Sequence, residues 1–218
     1  MNLKFFSYLG KEVNKLVEFS GDINLDFTAL PHWGDKSVLE KNWSGTRRHV
    51  LKSVLALIAQ DAESKLLHYG NAEVKKKTAK NEILKFVDFW KNNNTSELKC
   101  LIFDSKFTIL ENLRKLDKDN IKFITIRSKN PALINEYTNN KKIKWITVKL
   151  DNVKRKYRDI LVSDRNIIIE KYDPHKKIRQ IVIKNHGREE PTFILTNDFE
   201  STAKQIITKD ARRWIIET

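Results

Sequence analysis

Cysteine is almost absent from this 218-residue chain; Cys100 is the only one. A single thiol excludes an internal disulfide framework and any zinc site built on several cysteines. The five histidines show no pairwise spacing that suggests zinc. Long apolar runs are missing as well. The longest, such as residues 53–59 and 167–169, fall far short of the ~20 residues of a membrane span. The first 21 residues alternate charge with apolar residues and lack a signal-peptide pattern. No Gly-x-Ser-x-Gly elbow and no Gly-rich dinucleotide turn occurs. Gly45-Thr46-Arg47-Arg48 lacks the Gly-Lys-Ser/Thr ending of a phosphate loop. Hydrophobic residues make up 40% of the chain and aromatic residues 10%, which excludes a disordered polymer. A chain of this length buries roughly 70% of its unfolded surface, so its core needs no staple. The expectation is a reduced, cytoplasmic, non-membrane protein.

What the sequence has in excess is positive charge. The 42 Lys and Arg against 28 Asp and Glu give a net charge of +14. Residues 1–60 contribute +2, 61–140 contribute +4, 141–190 contribute +8 and 191–218 nothing. A lysine-rich proteome accounts for part of the total, since 31 of the 42 are Lys. It accounts less well for the concentration in 141–190. A localised basic surface favours phosphate backbones through counterion release, without reading sequence. Lys154-Arg155-Lys156-Tyr157-Arg158 is the densest basic run and reads as a DNA-backbone contact or a solvated hairpin turn.

Periodicity predicts a helix over residues 3–19, stopped by Gly21. Strands follow over 23–30, 49–60 and 65–71, with an extended loop over 32–48. Next come a helix over 78–92, a short buried strand over 99–103, a helix over 108–116 and a strand over 121–126. Asn130-Pro131 opens a further helix, with Pro at its favoured first position. Residues 141–196 read as strands only: 143–150, 159–162, 167–172, 179–184 and 192–195. A final helix over 199–217 has Phe199, Ala203, Ile206, Ile207 and Trp214 on its apolar side. Strands alternating with helices predict an α/β core, and the strand block reads as an all-β insertion in it. Trp33 and Trp145 are candidates for base stacking, with core packing favoured for both.

Three carboxylates occupy positions where chemistry is plausible. Asp26 lies between Leu25 and Phe27 inside the first strand, where a carboxylate needs a partner, a metal or water. Asp104 follows Leu101-Ile102-Phe103 at the carboxyl end of a strand, where open α/β sheets place ligands; capping the next helix is its ordinary role. Glu217 stands four residues after Arg213, on the same helix face, as an intrahelical ion pair would.

The stretch from Asn24 to Asp35, continued by Ser37-Val38-Leu39-Glu40-Lys41, resembles the first catalytic block of bacterial insertion-sequence transposases of the DDE class. Phe103-Asp104-Ser105-Lys106-Phe107-Thr108, with Leu113 and the strand from Ile121 to Arg127, resembles the second. His186-Gly187-Arg188 with Leu195-Thr196-Asn197 resembles the approach to the third, and Arg212-Arg213-Trp214-Ile215-Ile216-Glu217 resembles the Tyr-x-x-Arg-x-x-x-Glu signature. Four blocks in order, with a basic strand block before the last, cover residues 22–217.

The resemblance implies an RNase H-like mixed sheet flanked by helices, with an all-β insertion before the last helix. The implied plan is an N-terminal helix over 1–21, core over 22–140, insertion over 141–197 and a closing core helix over 198–218. It implies cleavage and strand transfer at element ends by two Mg2+ ions, with Mn2+ as a substitute, held by Asp26, Asp104 and Glu217. Two such ions activate a water or 3′-hydroxyl and stabilise the leaving oxygen. DNA contacts fall to Arg213, Arg127, Lys154, Arg155, Lys156 and Arg158. The implied partners are element-end and target DNA, with a homodimer on the DNA and no membrane. The chain departs from the pattern in two places. Asp210 stands where the signature has Tyr, and the sequence stops one residue after Glu217. With 25 residues before Asp26, the reading is a truncated transposase. The alternatives are an inactive DNA-binding remnant and an RNase H-like nuclease.

Overall fold

A strand forms where alternate residues find a shared apolar face, and the first half of the chain builds on one such strand. The computed structural model describes residues 19–34, 39–44, 47–93, 96–151 and 159–213, with Lys4, Phe5, Tyr8 and Glu12. Most of the helix expected over 3–19 lies outside them. The chain divides into two units, Met1–Leu101 and Ile102–Thr218.

In the first unit, β1 (Asp22–Pro31) runs antiparallel to β3 (His49–Asp61), with Asp26 opposite Ile58. β2 (Lys41–Ser44) and β4 (Leu67–Val74) also pair with β3, both antiparallel. The expected loop over 32–48 therefore contains a strand. Its four residues, Lys-Asn-Trp-Ser, carry little strand propensity; the cross-strand register of β3 imposes it. Helix α1 (Glu82–Asn93) buries Ile83, Phe86, Val87 and Trp90, an i, i+3, i+4, i+7 face. Tyr69 meets Phe86 edge-on with centroids 5.6 Å apart. Glu82 at the head of α1 is buried and accepts from Asn71 Nδ2 at 2.8 Å, with Lys85 Nζ at 2.6 Å.

β5 (Cys100–Phe103) is buried along its length, and the division between the units falls inside it. The second unit continues with α2 (Leu110–Lys118), β6 (Lys122–Ile126), α3 (Pro131–Asn139), β7 (Ile146–Lys149), β8 (Asp159–Ile169), β9 (Asp173–Lys184), β10 (Thr192–Thr196) and α4 (Ala203–Arg212). Its strands are ordered β6-β10-β9-β8-β7. The last four form an antiparallel meander, joined to β6 where Leu195 stands opposite Thr125. Asn130 caps α3 as its sequence suggests, its side chain accepting from Leu133 N at 2.8 Å. Leu133, Tyr137, Ile143, Val182 and Phe193 pack as one cluster between α3 and the meander.

Two expectations for the meander change. The separate strands over 159–162 and 167–172 are one strand, β8, whose register with β9 is unbroken from Leu161 to Ile168. The polar stretch Ser163-Asp164-Arg165-Asn166 is strand because it stays in register with β9 throughout, and Asp164 meets Arg179 across the ladder. The strand expected over 179–184 begins earlier, at Asp173, so that β9 spans Asp173–Lys184. Among the described residues no helix is long and apolar enough to cross a membrane.

Candidate active site

Asp26 belongs to the face of β1 that also carries Asn24 and Thr28, by the two-residue period of a strand. Ile23, Leu25 and Phe27 on the other face are buried; on the Asp26 face only Asn24 is, while Asp26 and Thr28 are half-buried. The carboxylate thus stands where the strand leaves the interior.

Asp104 follows β5 with extended backbone, φ −80° and ψ 178°. Its Oδ1 accepts from Lys106 N at 2.8 Å, capping a 3-10 turn over Ser105–Phe107. The helix it was expected to cap begins later, at Leu110, after Ile109. The main chain of Asp104 is pinned separately. Its carbonyl accepts from the hydroxyls of Thr108 and Thr125, each at 3.3 Å, and from Phe107 N at 3.3 Å. Those two hydroxyls lie 2.5 Å apart, and Ile126 O, 3.0 Å from the Thr108 hydroxyl, shares its single proton with the Asp104 carbonyl. A carboxylate has about four acceptor positions, so the cap uses only part of its capacity. Half-buried Asp26 and Asp104 offer the hard oxygen donors that a divalent cation such as Mg2+ takes. They belong to different units, and Glu217 lies outside the described residues. No group of three His, Cys, Asp or Glu side chains suited to a metal occurs among the described residues.

The basic candidates divide. Lys154, Arg155, Lys156 and Arg158 lie outside the described residues. Arg127 is half-buried, with Nη1 donating to Gln180 Oε1, whose amide donates in turn to Tyr137 OH at 2.8 Å. Burial lowers the proton affinity of this guanidinium, and the charges of Tyr137 and Glu136 oppose that. Arg213 is 4% exposed, with Nε 4.0 Å from Asp210 Oδ1. The acid in the Tyr position of the signature is itself buried against this arginine, one helical turn away.

One constellation gave no sign in the sequence reading. Arg179 of β9, buried, forks onto Asp164 of β8 with Nε–Oδ1 3.0 Å and Nη2–Oδ2 2.7 Å. Its Nη1 donates to the carbonyls of Asp198 at 2.9 Å and Ser201 at 2.6 Å. Asp198 accepts from Glu200 N, Ser201 N and Ser201 Oγ. Burial alone would raise its pKa; the Ser201 and Glu200 hydrogen bonds and the Lys122 charge outweigh it and hold the carboxyl below its ordinary value. This strap ends at Thr202, where a reciprocal cap starts α4: Thr202 N donates to Gln205 Oε1 at 2.8 Å and Gln205 N to Thr202 Oγ1 at 3.3 Å. The Thr-x-x-Gln spacing is a readable start signal. It moves the helix start four residues past the expected one and leaves Phe199 exposed in the preceding turn.

The mixed α/β arrangement, with its antiparallel meander ahead of a closing helix, is an RNase H-like fold. It is similar to the piggyBac transposase solved by cryo-EM as a synaptic complex with hairpin DNA, at a TM-score of 0.52 and 10% identity over 92% of this chain. This chain spans 40% of the length of that one. The NurA nuclease from Sulfolobus solfataricus aligns over 96% of this chain and 80% of its own, at 8% identity and a TM-score of 0.38. No curated protein is similar enough to match. The model of the transposase DDE domain matches residues 23–218, and the chain belongs to that family.

Proposed function

We propose that this chain carries out metal-dependent DNA strand cleavage and strand transfer at insertion-sequence ends. The observation that carries the reading is the setting of Asp104: a carboxylate at the carboxyl end of a buried strand, on main chain held by two threonine hydroxyls. The family match supports it, because the matched span contains Asp26, Asp104 and Glu217. In this proposal those three acids hold two Mg2+ ions, for which Mn2+ can substitute. The ions, when bound, supply Lewis-acid stabilisation of the attacking and leaving oxygens. Asp104 presents its carboxylate from a backbone that does not have to reorganise. Lys154, Arg155, Lys156 and Arg158 hold the DNA backbone. DNA as partner is supported by the piggyBac neighbour, whose structure contains hairpin DNA. A homodimer on the DNA, a cytoplasmic location and an insertion over 141–197 within a core of 22–140 and 198–218 belong to the same proposal.

Asp104→Asn is the discriminating variant, since Asn keeps an Oδ1 acceptor for Lys106 N and removes only the charge. Nicking and joining of element-end DNA are measured with Mg2+ and with Mn2+. The expected result is activity in the parent chain and a loss of about 100-fold or more in the variant at unchanged melting temperature, as for a lost transition-state contact. Cleavage that survives Asp104→Asn would sink the assignment. A second reading, a domain that binds DNA without cutting it, is favoured by the burial of Arg213 against Asp210. It predicts binding with no product in either metal. Products that are cut but never joined to target DNA would point instead to an RNase H-like nuclease.

A further inference from the structure

The β2–β3 hairpin carries a surface that the fold does not need. Along β2, Lys41 and Trp43 point outward while Asn42 and Ser44 are buried. Across the ladder Trp43 stands opposite Val50, and Lys41 opposite Lys52. Trp43 is 59% exposed and Val50 55%, and both lysines are exposed too.

Two aspects of this face run against folding economy. Like charges directly opposite each other destabilise an antiparallel pair. Here they also stand close. The carbonyl of Lys52 accepts from His32 N at 3.1 Å, on the β1 side of β3. Lys41 and Lys52 therefore form a non-hydrogen-bonded pair, the kind that brings side chains nearest. Among the described residues neither ammonium has an ion-pair partner. A lysine on β2 alone would serve to blunt an exposed strand. Lys52 is on β3, which is paired with β1 and β4 as well, and does not serve that purpose. Beside the two cations lies a large exposed indole. Trp33, one residue past the His32–Lys52 contact, is a second one, 73% exposed, with the Arg47 guanidinium 5.6 Å from its ring centre. Cations next to exposed aromatic rings match a strand of nucleic acid with unpaired bases: phosphate between the ammonium groups, base on the ring.

We infer that the outer face of the β2–β3 hairpin binds single-stranded DNA, with a phosphate held between Lys41 and Lys52 and the adjoining base stacked on Trp43. The inference rests on the reading of this chain as a DNA-acting protein and names residues other than the basic run at 154–158. It commits to DNA, not to a protein, because the facing lysines have no ion-pair partner among the described residues and stand beside an exposed indole.

The test is fluorescence anisotropy with the full chain and two probes, oligothymidylate and a blunt duplex, each of about 20 nucleotides per strand. Lys41→Glu turns the like pair into an opposite pair, so it should leave melting unchanged or raised. It should nevertheless weaken oligothymidylate binding about tenfold and reduce the slope of log affinity against log salt by roughly 0.7 or more. Trp43→Ala should weaken oligothymidylate binding at least about fivefold and duplex binding much less. Binding of oligothymidylate by both variants as tightly as by the parent chain overturns this inference alone. A parent chain that binds neither probe overturns the DNA-acting reading together with it. A Trp43→Ala variant that changes the oligomeric state in sedimentation, with DNA binding intact, assigns the face to a second copy of the chain and overturns the inference as well.

Discussion

Replacing Arg179 with Met tests how the closing helix is held. The substitution keeps most of the side-chain volume and removes every hydrogen bond of the guanidinium: the fork onto Asp164 and the donations to the carbonyls of Asp198 and Ser201. The Asp198 contact is fully buried. A buried acceptor left without its donor costs about 1–3 kcal/mol. Asp164 is only partly covered and turns to water once released, which limits its share. The expected loss is about 3 kcal/mol, at the lower end for a broken buried pair. For a chain of this size that corresponds to a fall in melting temperature of roughly 6–12 °C. Urea unfolding followed by circular dichroism measures it, with Arg179→Lys expected in between because Lys keeps the charge and lacks the fork. A double-mutant cycle with Asp164→Asn separates the fork from the two carbonyl contacts. A loss below about 0.5 kcal/mol, the range of ordinary surface substitutions, would refute the idea that Arg179 anchors the strap.

Two further outcomes follow from single contacts. Thr202→Ala removes the reciprocal cap of α4 and should cost about 1 kcal/mol in the same urea assay, while Thr202→Ser should cost little. His68 is buried between Phe19, 4.2 Å away, and Trp90, 5.1 Å away, and burial lowers its pKa below 6.5 against the opposing charge of Asp61. The unfolded chain therefore binds more protons than the folded one once pH falls below 6.5, and stability drops as pH descends from there towards the folded-state pKa. His68→Phe should flatten the melting temperature across that window; an unchanged slope would exclude His68 as its source.

Most elements were legible because their signals are local. The alternation from Ile23 to Leu30 and the Ile83, Val87, Trp90 spacing each have one physical reading, a half-buried strand and a helix packed on one side. Two of the strand misreadings share a cause: partners across a ladder, which the segment's own composition does not show. Lys41–Ser44 is strand because β3 is already there, and Ser163–Asn166 is strand because β9 lies opposite in register. Asp104 was readable as a strand-end carboxylate, but the threonine hydroxyls on its carbonyl were not, since Thr125 comes 21 residues later. Asp210 was read only as a departure from a signature. That it is buried against Arg213 depends on which side of α4 faces inward, and the charges alone do not say. Trp33 shows the converse. A tryptophan is favoured in the core on average, and this one lies in the open beside Arg47.

The strap before α4 makes that helix a lever. Arg179, Asp198 and the Thr202 cap fix its root, and Ile206, Ile207 and Ala211 set which way it rolls. Its ten residues span about 15 Å, so a tilt of about 5° at the root moves the far end by about 1.3 Å. Functional groups tolerate displacements of only about 0.5 Å. A substitution at residues 198–202 that tilts the root by that much is therefore felt most at the far end, where Asp210, Ala211 and Arg213 are packed.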